Sequence, residues 1–232
     1  ICPGGGYHGV SRREAEPIAL KFLEQGYNVF VLTYSVRPHR FPQQLREVAA
    51  AMELIHANAD EWLCDVEKVA IVGFSAGGHA AAAAGVLWDH EAVKAAFGNA
   101  PTRMGRPDAI LPCYPVISAG KHAHRGSFLA LAGQDATPEE QMAFSLENFV
   151  NETTPPAFLW HTSDDNGVPV ENSLLFAAAL SKHHIPFELH VYPHGAHGLS
   201  LCDERTWANN PYLINKRASE WFALAVKWAK EI

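Results

Sequence analysis

The sequence predicts an α/β fold in which a mostly parallel central sheet carries helices on both faces. Three observations carry this. Short, nearly continuous apolar runs recur along the chain, amphipathic segments of helical period separate them, and no repeat, low-complexity tract or Ser/Gly linker breaks the alternation. Strands that are apolar along their whole length suit a sheet covered on both faces. Strand and helix alternating at this spacing build right-handed crossover units. With 48% hydrophobic and 19% charged residues in a chain of 232, residues 1–232 read as a single domain able to bury a core without disulfide or metal staples.

The elements follow in order. Residues 13–25 set Ile18, Leu20, Phe22 and Leu23 among polar side chains and stop at Gly26, a residue that commonly caps a helix C-terminus. The run 27–34 (YNVFVLTY) reads as a strand, 45–62 as a helix carrying Val48, Met52, Leu54 and Ile55, and 68–74 (KVAIVGF) as a second strand. Residues 77–88 are rich in alanine, a strong helix former small enough to pack close to a sheet. Further strands are expected at 108–114 (DAILPCY), 128–132 (FLALA), 156–161 (PAFLWH) and 187–192 (FELHVY), and further helices at 172–183 and 218–230. Ligands of such sheets bind beyond the carboxyl ends of the strands, so the residues just past each strand are the first candidates for chemistry.

Composition excludes several classes. No apolar stretch approaches the roughly 20 residues of a membrane helix. Lys and Arg total 18 against 25 Asp and Glu, a net charge of −7 with no basic tract, so nucleic acid is not an expected partner. Cys2, Cys64, Cys113 and Cys202 lie far apart with no CxxC pair, which points to reduced thiols and a cytoplasmic setting. Thirteen histidines form no HExxH pattern, and neither a metal nor another cofactor is expected. The chain opens at Ile1 with neither Met nor a leader, so further chain upstream is expected.

Ser75 lies in Gly73-Phe74-Ser75-Ala76-Gly77, directly after an apolar strand and directly before the Ala-rich helix. A GxSxG turn in that context presents a serine hydroxyl clear of the sheet, over a helix N-terminus whose unpaired N–H groups favour a developing oxyanion. A serine hydroxyl needs a base, and the base an orienting carboxylate. Two later strand ends supply both. The strand 156–161 runs into Thr162-Ser163-Asp164-Asp165, and 187–192 into Pro193-His194-Gly195-Ala196-His197. Spacing alone leaves Asp164 and Asp165 open, and likewise His194 and His197. Near the start, Gly4, Gly5 and Gly6 bring backbone N–H groups where no Cβ intervenes. Those of Gly5 and Gly6, with that of Ala76, are candidate oxyanion donors, and Tyr7 beside them is a candidate pocket wall. The run is neither GxGxxG nor followed by GKS, which disfavours a nucleotide. The turn Arg37-Pro38-His39-Arg40 is a short cationic loop that could face solvent or an acidic or carbohydrate substrate.

These motifs resemble the α/β-hydrolase superfamily and, within it, the bacterial esterase/lipase group of acetyl esterase and acetylxylan esterase type. PGGGY stands where relatives have HGGG, with Pro3 departing from their His. GFSAGGH matches the nucleophile turn. HTSDDNGVP resembles HGxxDxxVP, with His161, Asp165, Val168 and Pro169 in register, and PHGAHG resembles the terminal motif whose second histidine is the base. The resemblance implies an α/β-hydrolase fold whose N-terminal strands are missing ahead of Ile1, and a short cap-like insertion near 133–154. It also implies Ser75 as nucleophile, His197 as base and Asp165 as orienting acid. The implied activity is a serine carboxylesterase acting on short-chain, acetyl esters, of sugars or xylo-oligosaccharides. A peptidase of prolyl-oligopeptidase type and a non-catalytic binding protein of the same fold are the alternatives, and a homo-oligomer is left open.

Overall fold

The computed structural model describes residues 1–96 and 105–232. Four parallel strands, β1 (Ala70–Phe74), β2 (Ala109–Cys113), β3 (Ala157–Thr162) and β4 (Phe187–Tyr192), stand side by side in chain order. Cys2 adds a parallel bridge to Gly73 beyond β1. Around the sheet lie α1 (Glu16–Leu23), α2 (Gln43–Ala57), α3 (Ala59–Trp62), α4 (Ala76–Val86), α5 (Glu91–Ala96), α6 (Arg125–Ala132), α7 (Pro138–Met142), α8 (Glu171–Lys182) and α9 (Trp221–Ala229).

Side chains of a strand alternate between faces, and the core divides accordingly. Val72, Phe74, Leu111, Cys113, Phe158 and Trp160 pack with Ile18 and Phe22 of α1 and Trp221 and Ala225 of α9. Ile110 and Leu159 turn the other way, toward Leu45 of α2, Ala82 of α4 and Phe176 of α8. Helices therefore cover both faces, and α4 shows how tightly. All eleven of its residues are buried, which explains why its sequence is alanine and glycine.

Two expected strands are absent. Residues 128–132 belong to α6, where His124 caps the first turn by accepting from the Ser127 N–H and Gly133 ends the helix. A five-residue apolar run does not separate a strand from a buried helix, and here the flanking cap decides. Residues 27–34 join no ladder. Their neighbour is Ile1, which accepts from the Leu32 N–H and donates to the Phe30 carbonyl. In the other direction, α5 was not expected. α7 carries a capping box between Thr137 and Glu140.

Candidate active site

Ser75 sits alone between the end of β1 and the start of α4, with φ +54° and ψ −118°. A non-glycine residue in this region stores on the order of 1–3 kcal/mol of strain. Neighbouring backbone fixes it. The Ser75 N–H donates to the Cys113 carbonyl, and the Ser75 carbonyl accepts from the N–H groups of Val116 and His79. Both flanking glycines are required by contact. A Cβ on Gly73 would stand 2.1 Å from the Gly77 carbonyl oxygen, and one on Gly77 would stand 2.0 Å from that of Cys2.

The two loops past β3 and β4 bring an acid and a histidine to this turn. Ser75 Oγ lies 2.8 Å from His197 Nε2, and His197 Nδ1 lies 2.7 Å from Asp165 Oδ2. The other oxygen of Asp165 accepts from the N–H groups of Gly167 and Val168 at 2.8 and 2.9 Å. Burial alone would raise the Asp165 carboxyl, but bonds from His161, His197 and the Val168 N–H outweigh it and hold the group well below the usual carboxylate range. His161 is itself buried and pinned, with Nδ1 2.8 Å from Ser173 Oγ and Nε2 2.9 Å from the Val168 carbonyl. A carboxylate held in this way fixes the imidazole tautomer, leaving Nε2 as the acceptor that faces the serine.

The glycine run lies against the same turn, since a Cβ on Gly4 would be 3.1 Å from Ser75 Cβ. Among the described residues, the N–H groups of Gly5, Gly6 and Ala76 have no protein acceptor. Two consecutive residues tie this run to the histidine loop. Glu14 is a buried carboxylate that accepts from the Gly4 N–H at 2.9 Å and the Tyr114 hydroxyl at 2.7 Å. Tyr114 accepts in turn from the Ser200 N–H, and its ring meets the His197 ring edge-on at 5.3 Å. Next to Glu14, the Arg13 guanidinium donates to the carbonyls of Gly198 and Thr206.

A match to the family described as BD-FAE runs over residues 1–180, which include Ser75 and Asp165. The chain belongs to the BD-FAE family. Its fold is that of the α/β-hydrolases, and its relatives include esterases and carboxylesterases of the esterase/lipase-like superfamily. Among relatives of this BD-FAE domain, endo-1,4-beta-xylanase B of Butyrivibrio fibrisolvens is 38% identical over 97% of the chain and 36% of the relative. An acetylxylan esterase of Xylanibacter ruminicola is 28% identical over 86% of the chain and 40% of the relative. The chain thus spans well under half the length of these two curated relatives. Among solved structures, an acetyl ester-xyloside bifunctional hydrolase from Caldicellulosiruptor lactoaceticus is 40% identical, with a TM-score of 0.83 over 99% of the chain and 80% of the relative.

In this BD-FAE domain, Ser75, His197 and Asp165 meet, and Gly5, Gly6 and Ala76 surround the serine turn. Asp164 and His194 do not join them. They pair with each other at 2.9 Å on the exposed side of the same loops. Tyr7 is a correction: its ring is 1% exposed and packs edge-on against Tyr34 and His79, so it belongs to the core and not to a pocket wall. Its hydroxyl lies 2.9 Å from His79 Nδ1, whose other nitrogen is 3.0 Å from the Phe144 carbonyl. Burial depresses His79 to about 4, so the ring is neutral and links Tyr7, α4 and the 133–154 segment. Sequence reasoning missed Glu14, Arg13 and Tyr114. Arg-Arg-Glu at a helix start reads as solvated charge, and no local pattern marks a carboxylate that joins Gly4, ten residues before it, to Tyr114, a hundred residues after it. Among the described residues, no group of three or more His, Cys, Asp or Glu is arranged to hold a metal, and no helix is long and apolar enough to cross a membrane.

Proposed function

We propose that Ser75, His197 and Asp165 hydrolyse short-chain acyl esters, acetyl esters of sugars or xylo-oligosaccharides in particular. The observation that carries this is the unbroken chain of contacts from Ser75 Oγ through the two nitrogens of His197 to Asp165, at 2.8 and 2.7 Å. Ser75 Oγ attacks the ester carbonyl carbon as His197 Nε2 takes its proton. The N–H groups of Gly5, Gly6 and Ala76 hold the tetrahedral oxyanion, each donor contributing about 3–4 kcal/mol in comparable sites. His197 then protonates the departing alcohol, and water, activated by the same imidazole, releases the acid from Ser75. Asp165 keeps Nδ1 protonated throughout.

Acetyl and xylan-derived substrates are supported by what the relatives are named for, an acetyl ester-xyloside hydrolase, an acetylxylan esterase and a xylanase. We read residues 1–232 as one hydrolase domain in which 133–154 is a short cap-like insertion. It is anchored by the Ala119 N–H donating to Ser145 Oγ and the Leu146 N–H donating to the Ile117 carbonyl. The four unpaired cysteines support a reducing, cytoplasmic setting. Nitrophenyl esters of increasing acyl length test the proposal. Acetate should be turned over fastest, with rates falling along the series and vanishing in Ser75→Ala. A folded parent that turns over no ester would overturn it.

A further inference from the structure

The cationic turn after residue 36 borders a cavity that the ester chemistry does not use. This cavity, of about 330 Å³, is lined by Arg37 and Arg40 together with Leu129, Ala130, Gly133 and Gln134. That is the lower end of small-ligand sites, room for about one sugar ring.

Of the nine described guanidiniums four meet no protein acceptor, and two of those four, Arg37 and Arg40, line this cavity. Arg13, Arg46, Arg106, Arg125 and Arg205 all donate to protein acceptors. Arg37 and Arg40 enter no ion pair and no side-chain hydrogen bond among the described residues. Arg12 and Arg217 share that condition but do not line the cavity. Two unpaired cations beside one cavity, in a chain of net charge −7, leave an anion's place open. Guanidiniums favour planar carboxylates, which they can grip through two parallel bonds.

The cationic turn is also built to hold its position. The Arg37 N–H donates to the Tyr7 carbonyl, the Phe41 N–H to the Leu131 carbonyl, and Gln44 to the carbonyls of Ser35 and His39. Gly133 makes room for the Arg40 head. A Cβ there would stand 2.6 Å from Cζ and 2.7 Å from Nη1, so the guanidinium packs directly against the Gly133 backbone, whose φ of +124° itself calls for glycine.

Position links the cavity to the ester site. Ser127 of α6 faces Gly6, with Oγ 3.7 Å from where a Gly6 Cβ would be. Ala130 lies on the same face of α6, one turn further on, and lines the cavity. Cavity and glycine run are thus neighbours along one helix. Resting on the proposed esterase reading, we infer that Arg37 and Arg40 form a subsite for a carboxylate carried by the alcohol part of the ester, as on an acidic sugar.

The test compares two esters, the mono-O-acetylated methyl glycoside of a uronic acid and its carboxamide analogue, on the parent and on an Arg37→Gln/Arg40→Gln double variant. In the parent, kcat/KM should favour the carboxylate about tenfold at low salt, the scale of a charge-assisted bond. The preference should shrink as ionic strength rises and disappear in the double variant, while nitrophenyl acetate turnover stays at the parent rate. Equal rates on the two esters in the parent, or a preference that survives in the double variant, overturn the subsite. If the unesterified uronic acid glycoside binds by calorimetry while both esters react equally, the cavity takes a free carboxylate and the leaving-group assignment is overturned. Should no ester be hydrolysed at all, the esterase reading fails first. Calorimetry with the same glycoside then still decides the cavity, binding lost in the double variant supporting it and no binding to the parent overturning it.

Discussion

The loops past β3 and β4 hold two histidine–aspartate pairs of almost the same geometry. His197 meets Asp165 at 2.7 Å and His194 meets Asp164 at 2.9 Å. Their surroundings differ completely. The Asp165 side chain is 1% exposed and His197 25%, whereas Asp164 and His194 are 52% and 85% exposed. Asp165 is also held by two backbone N–H groups and lies 3.4 Å from His161, while Asp164 accepts from one N–H, that of Gly195. The difference teaches that pairing itself confers nothing. Water screens the exposed pair to a contribution near zero, and among the described residues no nucleophile is bonded to the His194 ring. Burial and a third partner, Ser75, turn the same two side chains into a candidate base and its orienting acid.

The largest expected effect sets one histidine against the other. His197→Ala should lower ester turnover by roughly 10⁴-fold or more, the scale of removing a triad member, measured as kcat on nitrophenyl acetate. His194→Ala should stay within about twofold of the parent. Comparable losses in both would break the contrast.

A smaller effect is expected from the surroundings of the buried pair. Glu14→Gln keeps an acceptor for the Gly4 N–H but loses the second oxygen that Tyr114 uses. Because Tyr114 packs on His197, kcat should fall by roughly 10- to 100-fold, the scale of a slight misplacement of reacting groups, with KM little changed. Tyr114→Phe keeps the ring and should lose less. A change confined to KM would mean that Glu14 acts on substrate binding and not on the alignment of His197.

The smallest effect is on stability in acid. The folded-state pKa of Asp165 lies below the unfolded value of 3.8, so its contribution is complete above that value and is lost as pH falls below 3.8 toward the folded pKa. Asp164 is shifted in the same direction, first by its bond from His194, but it lies on the solvent side of the loop, where water screens that bond. Denaturant melts between pH 5 and pH 2 should therefore show a shallower acid loss in Asp165→Asn than in the parent, and almost no change in Asp164→Asn.

Much of this was legible in the sequence because it is local. Ser75 is marked by a strand before it and an Ala-rich helix after it, and β1, β2 and β3 are apolar runs buried almost throughout, while the edge strand β4 is half-exposed. Asp165 and His197 could be placed past their strands from spacing, but choosing them over Asp164 and His194 needed the family pattern, since both candidates of each kind sit in the same loop. What failed was nonlocal. Residues 128–132 are equally apolar as strand or buried helix, and only the His124 cap and the packing separate the two. Tyr7 stands beside the glycine run in sequence, yet its ring turns inward to His79, seventy-two residues away. Glu14 and Arg13 look like surface charge until the fold brings Gly4, Tyr114 and Gly198 to them.

The most direct test of the central claim is the turnover of nitrophenyl acetate by Asp165→Asn and Asp164→Asn side by side. Both substitutions preserve shape and remove a charge. Loss of roughly 10⁴-fold in kcat for Asp165→Asn, with Asp164→Asn at the parent rate, is the predicted result. Parent-like turnover by Asp165→Asn, or an equal loss in both variants, would contradict it.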